Sequence, residues 1–190
     1  LDTAARNLAQ KNHDLWLFEA GAVYEPKALP ITELPVEKYH VSGFMMGKTT
    51  DLQWAQPQRD TDFYDVKGVL EAVLKELRIE ATIERSKETY LHPGVSAQYV
   101  VDGTVIATLG EVHPQVMKAY DLPGKAYLFD IDVTAILGLT RGQLRYQGIS
   151  KFPGTARDLA IVAPKTVSSE AISQVLSLIH ISEPTRLQLI

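Results

Sequence analysis

The sequence contains no cysteine. Disulfides, thiolate nucleophiles and cysteine metal sites are therefore excluded together, and the five histidines show no H-x-x-x-H or H-E-x-x-H spacing from which a zinc site could be built. Cations are also short: 19 Lys and Arg stand against 23 Asp and Glu, a net charge of −4. A nucleic acid must then be met by a local basic patch, since the global field offers no attraction. No apolar run approaches the roughly 20 residues that span a bilayer. No signal peptide is recognisable, and the first residue is Leu, so the sequence reads as a piece of a cytoplasmic protein with no membrane partner. With 45% hydrophobic and 22% charged residues it is an ordinary globular chain, sized for one large domain or two small ones.

The pattern of elements is legible along the first 140 residues. Leu1, Ala4, Ala5 and Leu8 have helical spacing and read as the tail of a helix. From Leu15 the run Leu-Trp-Leu-Phe-Glu-Ala-Gly-Ala-Val-Tyr reads as a buried strand stopped by Glu25-Pro26. Prolines 26, 30 and 35 make a loop, residues 39–47 a second strand, and the polar stretch 48–62 a long connection. Thr61 or Asp62 can cap a helix whose apolar residues Phe63, Val66, Val69, Leu70, Val73, Leu74 and Leu77 recur at three and four. A strand is expected at 81–85, and a hairpin of strands 97–101 and 104–109 around Asp102-Gly103. Pro114 opens a short helix through Tyr120, and 126–133 is another strand. The order predicts an α+β fold with a mainly antiparallel sheet and flanking helices.

A second unit is expected after a linker at 141–148. It begins at residue 149, carries a strand at 158–163 and a helix from Ser168 with Glu170 in its first turn, and is too small to close a core alone. The terminal stretch 177–190 loses the helical pattern, breaks at Pro184 and reads as a non-native or frameshifted tail.

Five stretches in order resemble one family. Asn7-Leu8-Ala9-Gln10-Lys11-Asn12 leading to Leu17-Phe18-Glu19-Ala20-Gly21, Phe63-Tyr64-Asp65-Val66-Lys67-Gly68-Val69-Leu70-Glu71, Leu91-His92-Pro93-Gly94-Val95-Ser96-Ala97 and Leu109-Gly110-Glu111-Val112-His113-Pro114 are similar to the catalytic-like module of the bacterial phenylalanyl-tRNA synthetase beta subunit. Ile149-Ser150-Lys151-Phe152-Pro153-Gly154-Thr155-Ala156-Arg157-Asp158 resembles the start of that subunit's ferredoxin-fold anticodon-binding domain. The resemblance implies a class II synthetase-like sheet at 1–140 and a truncated ferredoxin-like βα unit at 149–176. It also implies an (alpha-beta)2 heterotetramer that attaches phenylalanine to tRNA(Phe) with ATP and Mg2+. The chemistry, the nucleotide and the metal then belong outside this chain, which packs against the catalytic alpha subunit.

The residues themselves agree that the module is inert. Phosphoryl chemistry on ATP calls for guanidinium forks aimed at the phosphates. Between residues 15 and 134 the arginines are Arg59, Arg78 and Arg85, none in a setting suited to a clamp, and neither phosphate-loop motif is present. No catalytic, cofactor-binding or metal-binding residue is assigned. His92-Pro93-Gly94 and His113-Pro114 read as turn and helix-start chemistry, Glu111 as a cap for the helix at His113, and Glu19 as a carboxylate that needs a partner inside an apolar strand. Asp65 and Lys67 are read as solvated or paired, and Trp16, Trp54, Phe44, Met45 and Met46 as core or subunit interface. The basic stretch is Arg141, Arg145, Lys151, Arg157 and Lys165 against the single acid Asp158. Of these, Lys151, Arg157, Arg145 and Lys165 are the candidate RNA contacts, with a solvated linker as the alternative. Two other readings of the whole chain stay open: a free-standing interaction module with a synthetase-like fold, and an independent hydrolase or transferase using His92, His113 and Glu111.

Overall fold

The computed structural model describes residues 1–139, 158–164 and 166–178, and the chain divides into two compact units, Leu1–Leu144 and Arg145–Ile190. In the first unit the elements run α1 (Asp2–Ala9), β1 (Leu15–Glu25), β2 (Val36–Met46), α2 (Phe63–Leu77), β3 (Thr82–Glu84), β4 (Leu91–Val101), β5 (Thr104–Val112), α3 (Pro114–Ala119), β6 (Ala126–Asp132) and α4 (Val133–Leu137). The six strands form one antiparallel sheet in the order β1-β2-β6-β5-β4-β3. The α+β class and antiparallel sheet expected from the pattern are those observed.

Register decides what each face carries, because directly paired residues point to the same side. On the first face one row is Leu15, Met46 and Ala126, and the next is Leu17, Phe44, Leu128, Gly110 and Ser96. α1 and α3 close over that end through Ala4, Met117 and the adjoining Leu122, all buried. On the second face, Phe129, Ile131, Leu109, Ala107, Ala97 and Tyr99 meet Val66, Leu70 and Leu74 of α2 and Ile136 of α4. This is the main core.

Local chemistry sets the helix ends. Asp62 accepts from the backbone N–H groups of Tyr64 and Asp65 at 2.7 and 3.2 Å, and Asp65 returns the favour by accepting from the Asp62 N–H at 2.8 Å. That reciprocal capping box starts α2, and Arg78 in the left-handed conformation, φ 57°, ends it. The hydrogen bond from Arg59, 2.7 Å from Asp65, holds the Asp65 carboxyl below its ordinary range against the opposing effect of burial. A depressed folded-state value means the stabilisation is present above the unfolded carboxylate pKa and disappears as pH falls through the folded one. Asp65→Asn should therefore lower stability by about 1 kcal/mol at neutral pH, with the deficit against wild type closing in strongly acidic buffer; parallel denaturant titrations across pH will check it.

Three expectations are corrected by the packing. β1 is an edge strand, and of its eleven residues only Leu15 is buried, with Trp16 49% and Phe18 81% exposed. Its aromatic density gave the appearance of a core strand, but α2 lies over β5 and β6 and leaves the second face of β1 uncovered. Glu19, on the opposite face of this edge strand, is exposed as well and has no internal partner among the described residues. His92-Pro93-Gly94 is an irregularity inside β4, between the paired positions Leu91 and Ser96, rather than a reversing turn. Trp54 is fully exposed, which leaves the interface half of its reading. α4 was not anticipated: Asp132, the last residue of β6, accepts from the Ala135 N–H at 2.8 Å and turns the chain into a helix.

In the second unit, α5 (Ser169–Leu178) starts with the Ser168 hydroxyl accepting from the Ala171 N–H at 3.2 Å. The strand expected at 158–163 is not formed. Those residues have no regular structure, and Leu159, Ile161 and Val162 are exposed. A strand is stable only when its hydrogen-bonding groups find a neighbour, and none is paired with it among the described residues.

Candidate functional site

On the first face, beyond the two apolar rows, comes a row to which every strand contributes a polar side chain: Glu19, Ser42, Asp130, Thr108, Gln98 and Glu84. At the boundary between the apolar and polar rows, beneath α1, lies a cavity of about 410 Å³. Its walls include Leu17, Phe44 and Leu128, and Glu19, Ser42, Asp130 and Tyr90 give it a polar end. Asp130 is held firmly. One oxygen lies 2.7 Å from His40 Nδ1, and the other accepts from the Ser42 hydroxyl. The Tyr90 hydroxyl is 3.3 Å from that of Thr108, and burial pushes the phenol up, so it stays protonated as a neutral donor or acceptor.

Along β2, His40 and Lys38 share this face with Ser42. Lys38 is 2.9 Å from Glu25, and that hydrogen bond keeps it firmly charged. Of the arginines among the described residues, Arg59 is paired with Asp65, Arg78 forms the end of α2, Arg85 is exposed just beyond β3, and Arg6 is exposed on α1. A row with three carboxylates attracts cations and repels phosphates.

The second face offers a different surface. Between β1, β2, α2 and α4 runs a groove of about 550 Å³ lined almost wholly by apolar groups, among them Trp16, Phe18, Val69, Val73 and Leu137. Tyr24 and Tyr39 on the same face of β1 and β2, and Leu29, Ile31 and Leu34 in the loop between them, are exposed as well. So large an apolar surface is more than isolated surface residues would leave.

The pairing of Leu91 with Val112 brings the residues of the independent-enzyme reading to the same part of β4 and β5, but each is engaged in a local structural contact. His92 Nδ1 accepts from the Gly94 N–H at 3.0 Å, and His113 Nδ1 accepts from the Gln115 N–H at 3.2 Å, capping α3. Glu111, expected as that cap, is buried and accepts from Lys125 Nζ at 3.1 Å instead, because it is still within β5, paired opposite Tyr127, two residues before the capping His113. Asp65 and Lys67 are both paired, with Arg59 and Glu71 respectively. Met45 and Met46 are core, while Phe44 is half-buried in the cavity wall. Lys151, Arg157, Arg145 and Lys165 lie outside the described residues. The polar row was missed at the sequence level. Its only signal is the polar residue that interrupts each apolar strand, and register alone shows that these interruptions align.

Comparison with known proteins decides the family. The family profile described as the phenylalanyl tRNA synthetase beta chain CLM domain matches residues 1–133. The chain belongs to that family. A phenylalanine-tRNA ligase beta subunit from Syntrophotalea carbinolica is 35% identical over 179 residues, 93% of this chain and 22% of that protein. Those of Streptococcus mutans and Bacillus subtilis are 37% and 34% identical over 173 and 178 residues, covering 90% and 93% of this chain. The chain spans 22% of the length of these relatives. A solved pyrrolysyl tRNA synthetase from Desulfitobacterium hafniense superimposes with a TM-score of 0.50 at 14% identity, over 72% of this chain and 45% of that one, a likeness of fold. The CLM domain thus has the class II synthetase-like sheet that the resemblance implied. The triphosphate of ATP does not fit the polar row of its first face, because the row's charged side chains on β1, β6 and β3 are carboxylates that repel phosphates.

Proposed function

We propose that this chain is a non-catalytic structural module of the beta subunit of phenylalanine-tRNA ligase, the enzyme that attaches phenylalanine to tRNA(Phe) with ATP. The observation that carries this reading is the acidic row in a synthetase-like sheet, in a chain whose relatives are beta subunits of that ligase. ATP and Mg2+ are then bound by the alpha subunit, in a cytoplasmic (alpha-beta)2 heterotetramer. We assign the alpha contact to the apolar second face of β1 and β2, since burying that surface is the strongest driving force for association the molecule offers. Residues 149–176 are read as the start of the anticodon-binding domain after a linker at 141–148, with Lys151, Arg157, Arg145 and Lys165 contacting tRNA phosphates, and 177–190 as a non-native tail.

The test is co-expression of the chain with a phenylalanine-tRNA ligase alpha subunit, followed by co-purification and phenylalanine-dependent ATP–pyrophosphate exchange. A stable complex is expected, with no exchange by the chain alone. Phe18→Asp, at a position where the monomer loses nothing by becoming charged, should weaken the complex about 10–100-fold, the range of an interface anchor. A chain that stays alone supports the free-standing interaction module, and exchange by the chain itself refutes the scaffold.

A further inference from the structure

We propose that the cavity beneath α1 binds a small organic ammonium ion with an apolar body. This stands independently of the scaffold role, because the cavity lies on the opposite face of the sheet from the apolar groove. Three features of the cavity select this chemistry. Leu17, Phe44 and Leu128 provide an apolar wall, and the volume of about 410 Å³ admits a ring of aromatic size. At the polar end, Glu19 and Asp130 stand on either side of Ser42 on three adjacent strands, so their backbones are about 10 Å apart and both carboxylates can lean toward one bound group.

The charge at that end is uncompensated in a specific way. Glu19 has no hydrogen-bond or ion-pair partner among the described residues. Asp130 is oriented by His40 and Ser42 yet retains further acceptor positions on its two oxygens. An ammonium group has three donors, which Glu19, Asp130 and the Ser42 oxygen can accept. A divalent cation is less well served, since no group of three or more His, Cys, Asp or Glu capable of holding a metal is present among the described residues. An anion meets two carboxylates and is repelled.

The probe is phenethylamine, titrated into the 190-residue chain and followed by amide chemical shifts, with phenethyl alcohol as the neutral isostere. Saturable shifts confined to α1, β1, β2 and β6 are expected with the amine, and about tenfold weaker binding with the alcohol. Glu19→Gln should weaken amine binding about tenfold and leave the alcohol unaffected. Because Glu19 makes no contact in the fold, that variant keeps its structure, whereas Asp130→Asn also disturbs His40 and Ser42 and serves as a second check. No saturable amine binding, equal binding of amine and alcohol, or an amine affinity unchanged in Glu19→Gln would each overturn the assignment.

Discussion

Replacing Leu70 with alanine should destabilise the first unit by about 2–5 kcal/mol, because the side chain is fully buried and its loss leaves a cavity that the sheet cannot collapse into. Leu70 lies at the centre of the face that α2 presents to the second side of the sheet, in the cluster that includes Leu109 and Ile131. Domains of this size are stable by only about 5–15 kcal/mol. The variant should therefore melt roughly 6–15 °C lower, which calorimetry will measure. Val69→Ala, one residue along the same helix but bordering the open groove, should cost under about 1.5 kcal/mol, since part of its surface is already in water. Equal losses at the two positions would mean that the groove is closed in solution.

Gly47→Ala should be comparably damaging through the backbone. Gly47 follows β2 with φ +85°, and a Cβ there would lie 2.4 Å from the His13 carbonyl oxygen and 2.8 Å from the Asp14 Cα. Neither is the end of a flexible side chain. The same residue accepts from the Thr61 N–H at 2.8 Å, and the next N–H, that of Lys48, donates to the Asp14 carboxylate at 2.6 Å. Relieving the clash thus pulls apart the join between the α1–β1 connection, the end of β2 and the approach to α2. The left-handed conformation and the overpacking together give about 2–5 kcal/mol. Gly103→Ala is the control: its φ is +79°, but a Cβ would meet nothing within 4 Å, so only the conformational cost of about 1 kcal/mol remains. Denaturant midpoints of the two variants separate sterics from backbone strain. If they coincide, the contact at His13 is not tight.

The difference between these two glycines marks the limit of what pattern reading reaches. Asp102-Gly103 was visible as a hairpin turn because the signal is local: Asp102 and Gly103 both take positive φ, 49° and 79°, between strands of alternating residues. Gly47 carries the same conformational demand with no comparable local signature, since the atoms that forbid a side chain come from residues more than thirty positions earlier. α2 was legible for the first reason as well. Its apolar spacing and its capping Asp62 are properties of one segment, and a helix satisfies its own hydrogen bonds. The short α4 carried a cap signal, Asp132 before Val-Thr-Ala, but a strand pattern running directly into it concealed the boundary.

By itself the amino-acid sequence determined the order and type of nearly all elements of the first unit, the hairpin, the scarcity of arginine and the family, because each depends on spacing, composition or residue identity along the chain. Only the tertiary structure decided which strand stands at the edge and which residues share a row. Leu15 to Tyr24 reads as core from its aromatic content, yet whether a strand is buried depends on where α2 comes to rest. Glu19, Ser42 and Asp130, separated by as many as 111 positions, form one end of a cavity because antiparallel register sets them side by side. Hydrophobic burial is a property of neighbours in space, and strand register couples residues whose separation along the chain carries no trace of their proximity.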